Sequence, residues 1–265
     1  MTNGRRFEAL EVEREGHVAT VTLTRPDLLN RVDETLHEEL AAVLASLRGE
    51  PVRAIVLAST GPVFSAGGDF DYMRRLHDDP EYRTRNIDLG RRLFASLVDV
   101  PQPVVVALHG DAIGLGATVV LTGDAVVAAR QAGLADPHVA IGLVAGDGGC
   151  VVWPAAAGMV MAKRYLLTGD RLTAEDARAI GLVTDLVDGP EEVLPAARAL
   201  ADRMATLPPL AVQGTKRALN RVLQQRAGEV LDLSFALESQ SVASDDLLEA
   251  IAAFRERRRG SYRGR

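Results

Sequence analysis

The sequence predicts an α/β fold closed by a helical C-terminal region, and three observations carry that expectation. Apolar, β-branched runs alternate with helical segments up to about residue 145, the pattern of stacked β/α units. Beyond that point the chain reads as almost wholly helical. Two glycine-centred loops, Phe64-Ser65-Ala66-Gly67-Gly68-Asp69 and His109-Gly110-Asp111-Ala112-Ile113-Gly114-Leu115-Gly116, each follow such an apolar run.

Residues 17–24 alternate and read as a strand ended by Arg25-Pro26-Asp27. Asp33 caps a helix whose apolar positions Leu36, Leu40, Val43, Leu44 and Leu47 share one face. A strand over 52–58 leads into the first glycine loop. Helical, polar-rich segments follow at 69–77 and 81–99, and Pro101 and Pro103 introduce a strand over 104–108. After the second loop, 117–121 reads as a short buried helix and 124–129 as another strand. Thr173-Ala174-Glu175-Asp176 is a helix start with an acidic residue at its third helical position. Helical periodicity then runs through 190–206, 209–225, 227–242 and 244–258, with Pro208-Pro209 marking a boundary.

Composition narrows the function classes. The 265 residues suffice for one large domain, or for a core with an appendage. A net charge of −6 argues against nucleic acid as the main partner, because phosphate binding needs a basic face. The exception is the arginine-rich tail over 255–265, which reads as a solvated helix end or as a contact for a phosphate-bearing cofactor. Cys150 is the only cysteine, so intrachain disulfides and cysteine-based metal clusters are excluded. No apolar run spans a bilayer, and Met1 to Arg6 lack the apolar stretch of a signal peptide, so a cytoplasmic protein is expected.

Glycine at a strand end lets backbone N–H groups approach a ligand with no Cβ in the way. Two such loops can aim two donors at one oxygen, which is how an oxyanion hole is built. Gly114-Leu115-Gly116 also suggests a dinucleotide fingerprint, but position 119 is Val119 and no acidic residue closes a second strand. Ser65 lacks the Gly-x-Ser-x-Gly elbow of a nucleophile.

The order of segments resembles the enoyl-CoA hydratase/isomerase (crotonase) superfamily over nearly the whole chain. The matching pieces are Asn30 after Leu28-Leu29, the 63–69 loop, 105–110 with Gly114-Leu115-Gly116, and 123–129. The match continues through Ile141-Gly142-Leu143, Leu167-Thr168-Gly169, Ala174 to Ala177, Gly181-Leu182-Val183 and 253–258. The resemblance implies a spiral of ββα units over 1–190 holding the acyl-CoA site. It implies a C-terminal helical trimerisation region over 191–265, in homotrimers or hexamers. It also implies a CoA thioester as substrate, with CoA entering as part of it, no separate cofactor and no metal. The thioester oxygen would accept from the backbone N–H groups of Gly68 and Leu115; the second position is usually glycine. Leu28, Leu29, Ala66, Asp69, Phe70, Gly114 and Gly116 match substrate- and CoA-contacting stretches.

The pattern departs from hydratases at both water-activating glutamates, which are replaced by Thr118 and His138. A threonine does not serve as a general base near neutral pH. His138 becomes the acid/base candidate, since an unperturbed imidazole titrates at ~6.5. Asp147 orients His138, acts as an acid or base itself, or caps the helix that follows. Asp111 is a further acidic residue in the right loop, and His109 reads as structural. Trp153, Met159 and Met161 line the acyl pocket or pack behind it. The expected function is an acyl-CoA-processing lyase or isomerase working through a thioester enolate. The alternatives are an isomerase or decarboxylase using His138, and a non-catalytic acyl-CoA binder.

Overall fold

The computed structural model describes residues 7–265; Met1 to Arg6, read above for a signal segment, lie outside the described residues. Alternation in Leu10-Glu11-Val12 opens the chain as strand β1 (Leu10–Glu15), which hairpins antiparallel onto β2 (Val18–Leu23). The expected first strand is therefore the second. Next come α1 (Glu34–Leu47), β3 (Ala54–Ser59), α2 (Phe70–Asp78), α3 (Pro80–Asp99), β4 (Val104–Leu108), β5 (Ala112–Ile113), α4 (Leu115–Leu121), β6 (Ala125–Ala129) and β7 (Gly133–Ala135). The second half holds α5 (Gly149–Ala157), α6 (Met159–Leu166), β8 (Leu172–Thr173), α7 (Ala174–Ala179), β9 (Asp185–Val187), α8 (Pro190–Thr206), α9 (Pro209–Val242) and α10 (Asp245–Arg255).

A six-stranded sheet has the order β1-β2-β3-β4-β6-β9 and is parallel from β2 onward. A smaller sheet has the order β5-β7-β8. Successive turns of chain place one strand in the large sheet and a short one in the small: β4 then β5, β6 then β7. Before them, β3 is followed by Ser65, which bridges in parallel to Ala112. This is the expected spiral. Strands β4 and β6 are buried at every position, as parallel strands covered on both faces must be. One cover is α8, whose Val193, Ala197, Ala201 and Ala205 recur every four residues and are buried over the sheet.

Two expectations fail. The region after 145 is not almost wholly helical, because β8 and β9 complete the two sheets; at two and three residues they are too short to register as periodic segments. Residues 209–225 and 227–242 form one helix of 34 residues, since Gly228 costs a helix about 1 kcal/mol without breaking it. Asp33 does cap α1, accepting from the Leu36 N–H at 3.1 Å. No helix among the described residues is long and apolar enough to cross a membrane.

Candidate active site

The two glycine loops lie against each other. Ile113 N–H donates to the Ser65 carbonyl at 2.9 Å, and the Phe64 and Ser65 N–H groups donate to the Asp111 carbonyl. A Cβ on Gly67 would fall 2.7 Å from the Ile113 carbonyl oxygen, and one on Gly116 would fall 2.8 Å from Ser65 Cβ. Glycine at both positions is thus a condition of the loops meeting. Gly67, at φ 75°, also occupies the left-handed region that favours glycine. Ser65 is consumed in this joint: its hydroxyl donates to the Asn30 carbonyl and accepts from Gly67 N–H.

Gly68 and Leu115 both line a narrow cavity of about 80 Å³. Among the described residues, neither N–H has an intramolecular acceptor. Leu115 is the first residue of α4, where a helix leaves its N–H groups without partners. The two residues of the predicted donor pair therefore line the same cavity with their N–H groups unpaired.

The same cavity is lined by a chain of ionisable side chains. Gly114 N–H donates to the Ala135 carbonyl, which ties the second loop to the end of β7. Asp136 and Pro137 follow, and His138 opens a short 3-10 turn over His138–Ile141 that ends at Gly142 in the left-handed region. A Cβ on Gly114 would lie 3.4 Å from the His138 ring, so the imidazole sits directly beside the loop. His138 Nδ1 is hydrogen-bonded to Asp136 Oδ1, and Nε2 lies 3.4 Å from Asp147 Oδ2. Thr118 donates to Asp147 Oδ1 at 3.3 Å. All four residues are buried.

Asp147 is thus not the cap of α5; that place belongs to Gly148, at φ 114°. Nor does His138 keep an ordinary imidazole's basicity. Burial alone would lower its pKa, but Asp136 and Asp147 outweigh burial and push it up to about 10. At neutral pH it is an imidazolium, not a free base. Burial raises Asp147, with Asp136 adding to the rise while the imidazolium and the Gly149 N–H pull it back.

Asp136, His138 and Asp147 offer ligand atoms within 4.8 Å of one another, spacing that would suit a cation. Both imidazole nitrogens already face carboxylates, and a metal-ligating histidine must be neutral. The donor set fits a proton-conducting chain better than a metal site.

Other predicted residues fall in different places. Ala66, Gly68, Phe70 and Gly114 line a second cavity of about 430 Å³, which meets the first at Gly68, Met73 and His138. Phe70 stacks edge-on with Phe254 of α10 there, at 4.9 Å between centroids. Asp69 caps α2 and pairs with Arg31 at 2.8 Å. Leu28 and Leu29 are exposed on a 3-10 turn and line neither cavity. Asp111 is clamped by Arg171, away from the cavity, and His109 bonds the Gly61 carbonyl. Trp153 is fully buried in the core beside Tyr165, while Met159 is exposed on α6; neither these nor Met161 line either cavity. Arg258 of the basic tail lines the second cavity but is held by Glu249 and Glu256. Burial pushes the Cys150 thiol up to about 11, which leaves it unreactive.

Sequence reasoning missed Asp136 and Glu238. Asp136 stands two residues before His138, a spacing open to inspection. Glu238 reaches the site from α9, about a hundred residues later in the chain, and no local pattern announces it.

A family profile described as Enoyl-CoA hydratase/isomerase matches residues 13–265. The chain belongs to this family. It is 32% identical over 254 residues to a short-chain-enoyl-CoA hydratase of Clostridium acetobutylicum, covering 94% of this chain and 95% of that protein. It is 31% identical over 257 residues to a 1,2-epoxyphenylacetyl-CoA isomerase of Escherichia coli K12, covering 95% and 97%. Among solved structures, an enoyl-CoA hydratase/isomerase from Mycobacterium paratuberculosis superposes with a TM-score of 0.88 at 39% identity, covering 92% of this chain and 97% of that one. The family membership makes this an acyl-CoA-processing enzyme of the enoyl-CoA hydratase/isomerase type.

Proposed function

We propose that this family member moves a proton at the carbon next to a CoA thioester, shifting a double bond of a short acyl chain from the 3,4 to the 2,3 position. One observation carries the reading. Where the resemblance puts a hydratase's two glutamates this chain has Thr118 and His138, while Asp147 lines the same cavity as Gly68 and Leu115.

The Asp147 carboxylate accepts a proton from C2, and the C–H electron pair moves into the thioester as an enolate. The Gly68 and Leu115 N–H groups donate to the enolate oxygen; losing one such donor typically costs ~10²–10³ in rate. The electron pair then returns through the conjugated system to C4, which takes up a proton. The His138 imidazolium, anchored by Asp136, holds Asp147 in place and supports its negative charge. The larger cavity between Phe70 and Tyr262 takes the pantetheine arm, so CoA enters with the substrate and no separate cofactor or metal is invoked.

The test is conversion of 3-butenoyl-CoA to crotonyl-CoA beside hydration of crotonyl-CoA. Isomerisation should exceed hydration, and Asp147→Asn should slow it about 10²- to 10⁴-fold, the usual contribution of a general base. Rapid hydration without isomerisation would contradict the reading.

A further inference from the structure

The cavity holds a carboxyl group for which the proton abstraction just described has no use. Glu238, on α9, lines the same cavity as Gly68, Leu115, His138 and Asp147. Its position is fixed from both sides. One turn before it, the Ser234 hydroxyl donates to the Gly146 carbonyl at 2.8 Å; one turn after it, Ser241 Oγ accepts from the Val144 N–H at 3.1 Å. The helix therefore clamps the segment that leads into Asp147. Between the clamps, Gly146 gives the glutamate room: a Cβ there would stand 2.6 Å from Glu238 Cβ and 2.7 Å from Oε2. Among the described residues, the Glu238 carboxyl has neither a hydrogen-bond donor nor a cation of its own, and His138 is already shared by Asp136 and Asp147.

We infer that Glu238 is a second catalytic residue, the acid that delivers the proton to C4 of the acyl chain after Asp147 has taken one from C2. The inference rests on the isomerase reading above and assigns its second half. Burial, and then the neighbouring Asp147, push the Glu238 carboxyl up to about 8, with the imidazolium opposing them, so near pH 7 it carries the proton it has to give. The balance is simple. One proton leaves C2 for Asp147 and one leaves Glu238 for C4, with no net change in the substrate's atoms. The Glu238 carboxylate is then recharged from protonated Asp147, which shares its cavity. Burial raises both carboxyls, but Asp147 lies against the His138 imidazolium and accepts from Thr118, contacts that support its charge and that Glu238 lacks, so the two divide the roles of base and acid.

Partition of the intermediate tests this. 3-Butenoyl-CoA is incubated in heavy water with wild type and with Glu238→Gln, and C2 deuteration of recovered substrate and crotonyl-CoA formation are both followed by NMR. In the variant, C2 should still exchange, because Asp147 still forms the enolate and returns a deuteron to C2. Crotonyl-CoA formation should fall about 10²-fold or more. Retained C2 exchange also certifies that the variant is folded. Crotonyl-CoA formed at the wild-type rate would overturn the assignment, and so would an equal fall in exchange and isomerisation. Failure of the parent reading shows elsewhere, as absent C2 exchange in the wild type.

Discussion

His138 owes its charge to two neighbours. Because Asp136 and Asp147 outweigh burial, its folded pKa of about 10 lies above the ordinary imidazole value of 6.5. The folded state thus binds the proton more tightly, and the resulting stability is full below pH 6.5 and lost as pH rises through about 10. Glu238, raised from 4.5 to about 8, loses its own contribution lower in the range and Cys150, raised from 9.0 to about 11, higher in it, so the histidine's share is the difference between wild type and a His138 variant. Denaturant unfolding should show wild-type stability declining between pH 8 and 10, with His138→Gln flattening that decline. An unchanged slope would mean the imidazole is neutral in the fold. At this scale the sequence was half legible. The close approach of the two loops could be read from their glycines, while Gly68 and Leu115 as the donors came from the family resemblance. His138 could be named from its place after Pro137, but the rise of its pKa could not be read there, because it takes Asp147, from another segment, as well as Asp136 close by. Glu238 was invisible for the same reason in stronger form.

Elements explain why the site has this shape. The Gly114–Ala135 hydrogen bond and the β5–β7 pairing bring the second glycine loop and the Asp136–His138 segment side by side. On the far side, α9 is pinned to the sheet at its first turns, where buried Lys216 reaches Asp124 at 2.6 Å and the Gln102 carbonyl at 2.9 Å. Toward its C-terminal end it is pinned to the segment before Asp147 by Ser234 and Ser241. A helix broken at residue 226 could not hold both anchors in register, so the continuous α9 has a consequence that the expected pair of helices would lack. Strong periodic elements such as α1, α3 and β4 were readable from the sequence to within one or two residues. The shortest strands were not, because two or three residues carry no period; β8 and β9 exist through pairing with their neighbours. The hairpin strand β1 was missed although Leu10-Glu11-Val12 alternates, since glutamates at 11, 13 and 15 obscured the run.

On the scale of the whole molecule, the spiral core and its C-terminal helices form one continuous scaffold, with α8 on the large sheet and α9 across the cavity. One side of α9 leaves Leu219, Val222, Leu233 and Leu237 exposed. An apolar strip of this kind marks a contact surface. We propose that it joins copies of this chain into trimers or pairs of trimers. Light scattering should then give three or six times 28.3 kDa, and a monomer would refute the proposal. The central claim concerns the chemistry inside each copy: a thioester enolate made by Asp147 beneath the Gly68 and Leu115 N–H groups. The most direct measurement is the fate of the C2 protons of butyryl-CoA in heavy water, a substrate with no double bond to move and none to hydrate. Wild type should wash deuterium into C2, and Asp147→Asn should do so at least about 10²-fold more slowly. No exchange by wild type, or equal exchange by the variant, would contradict it.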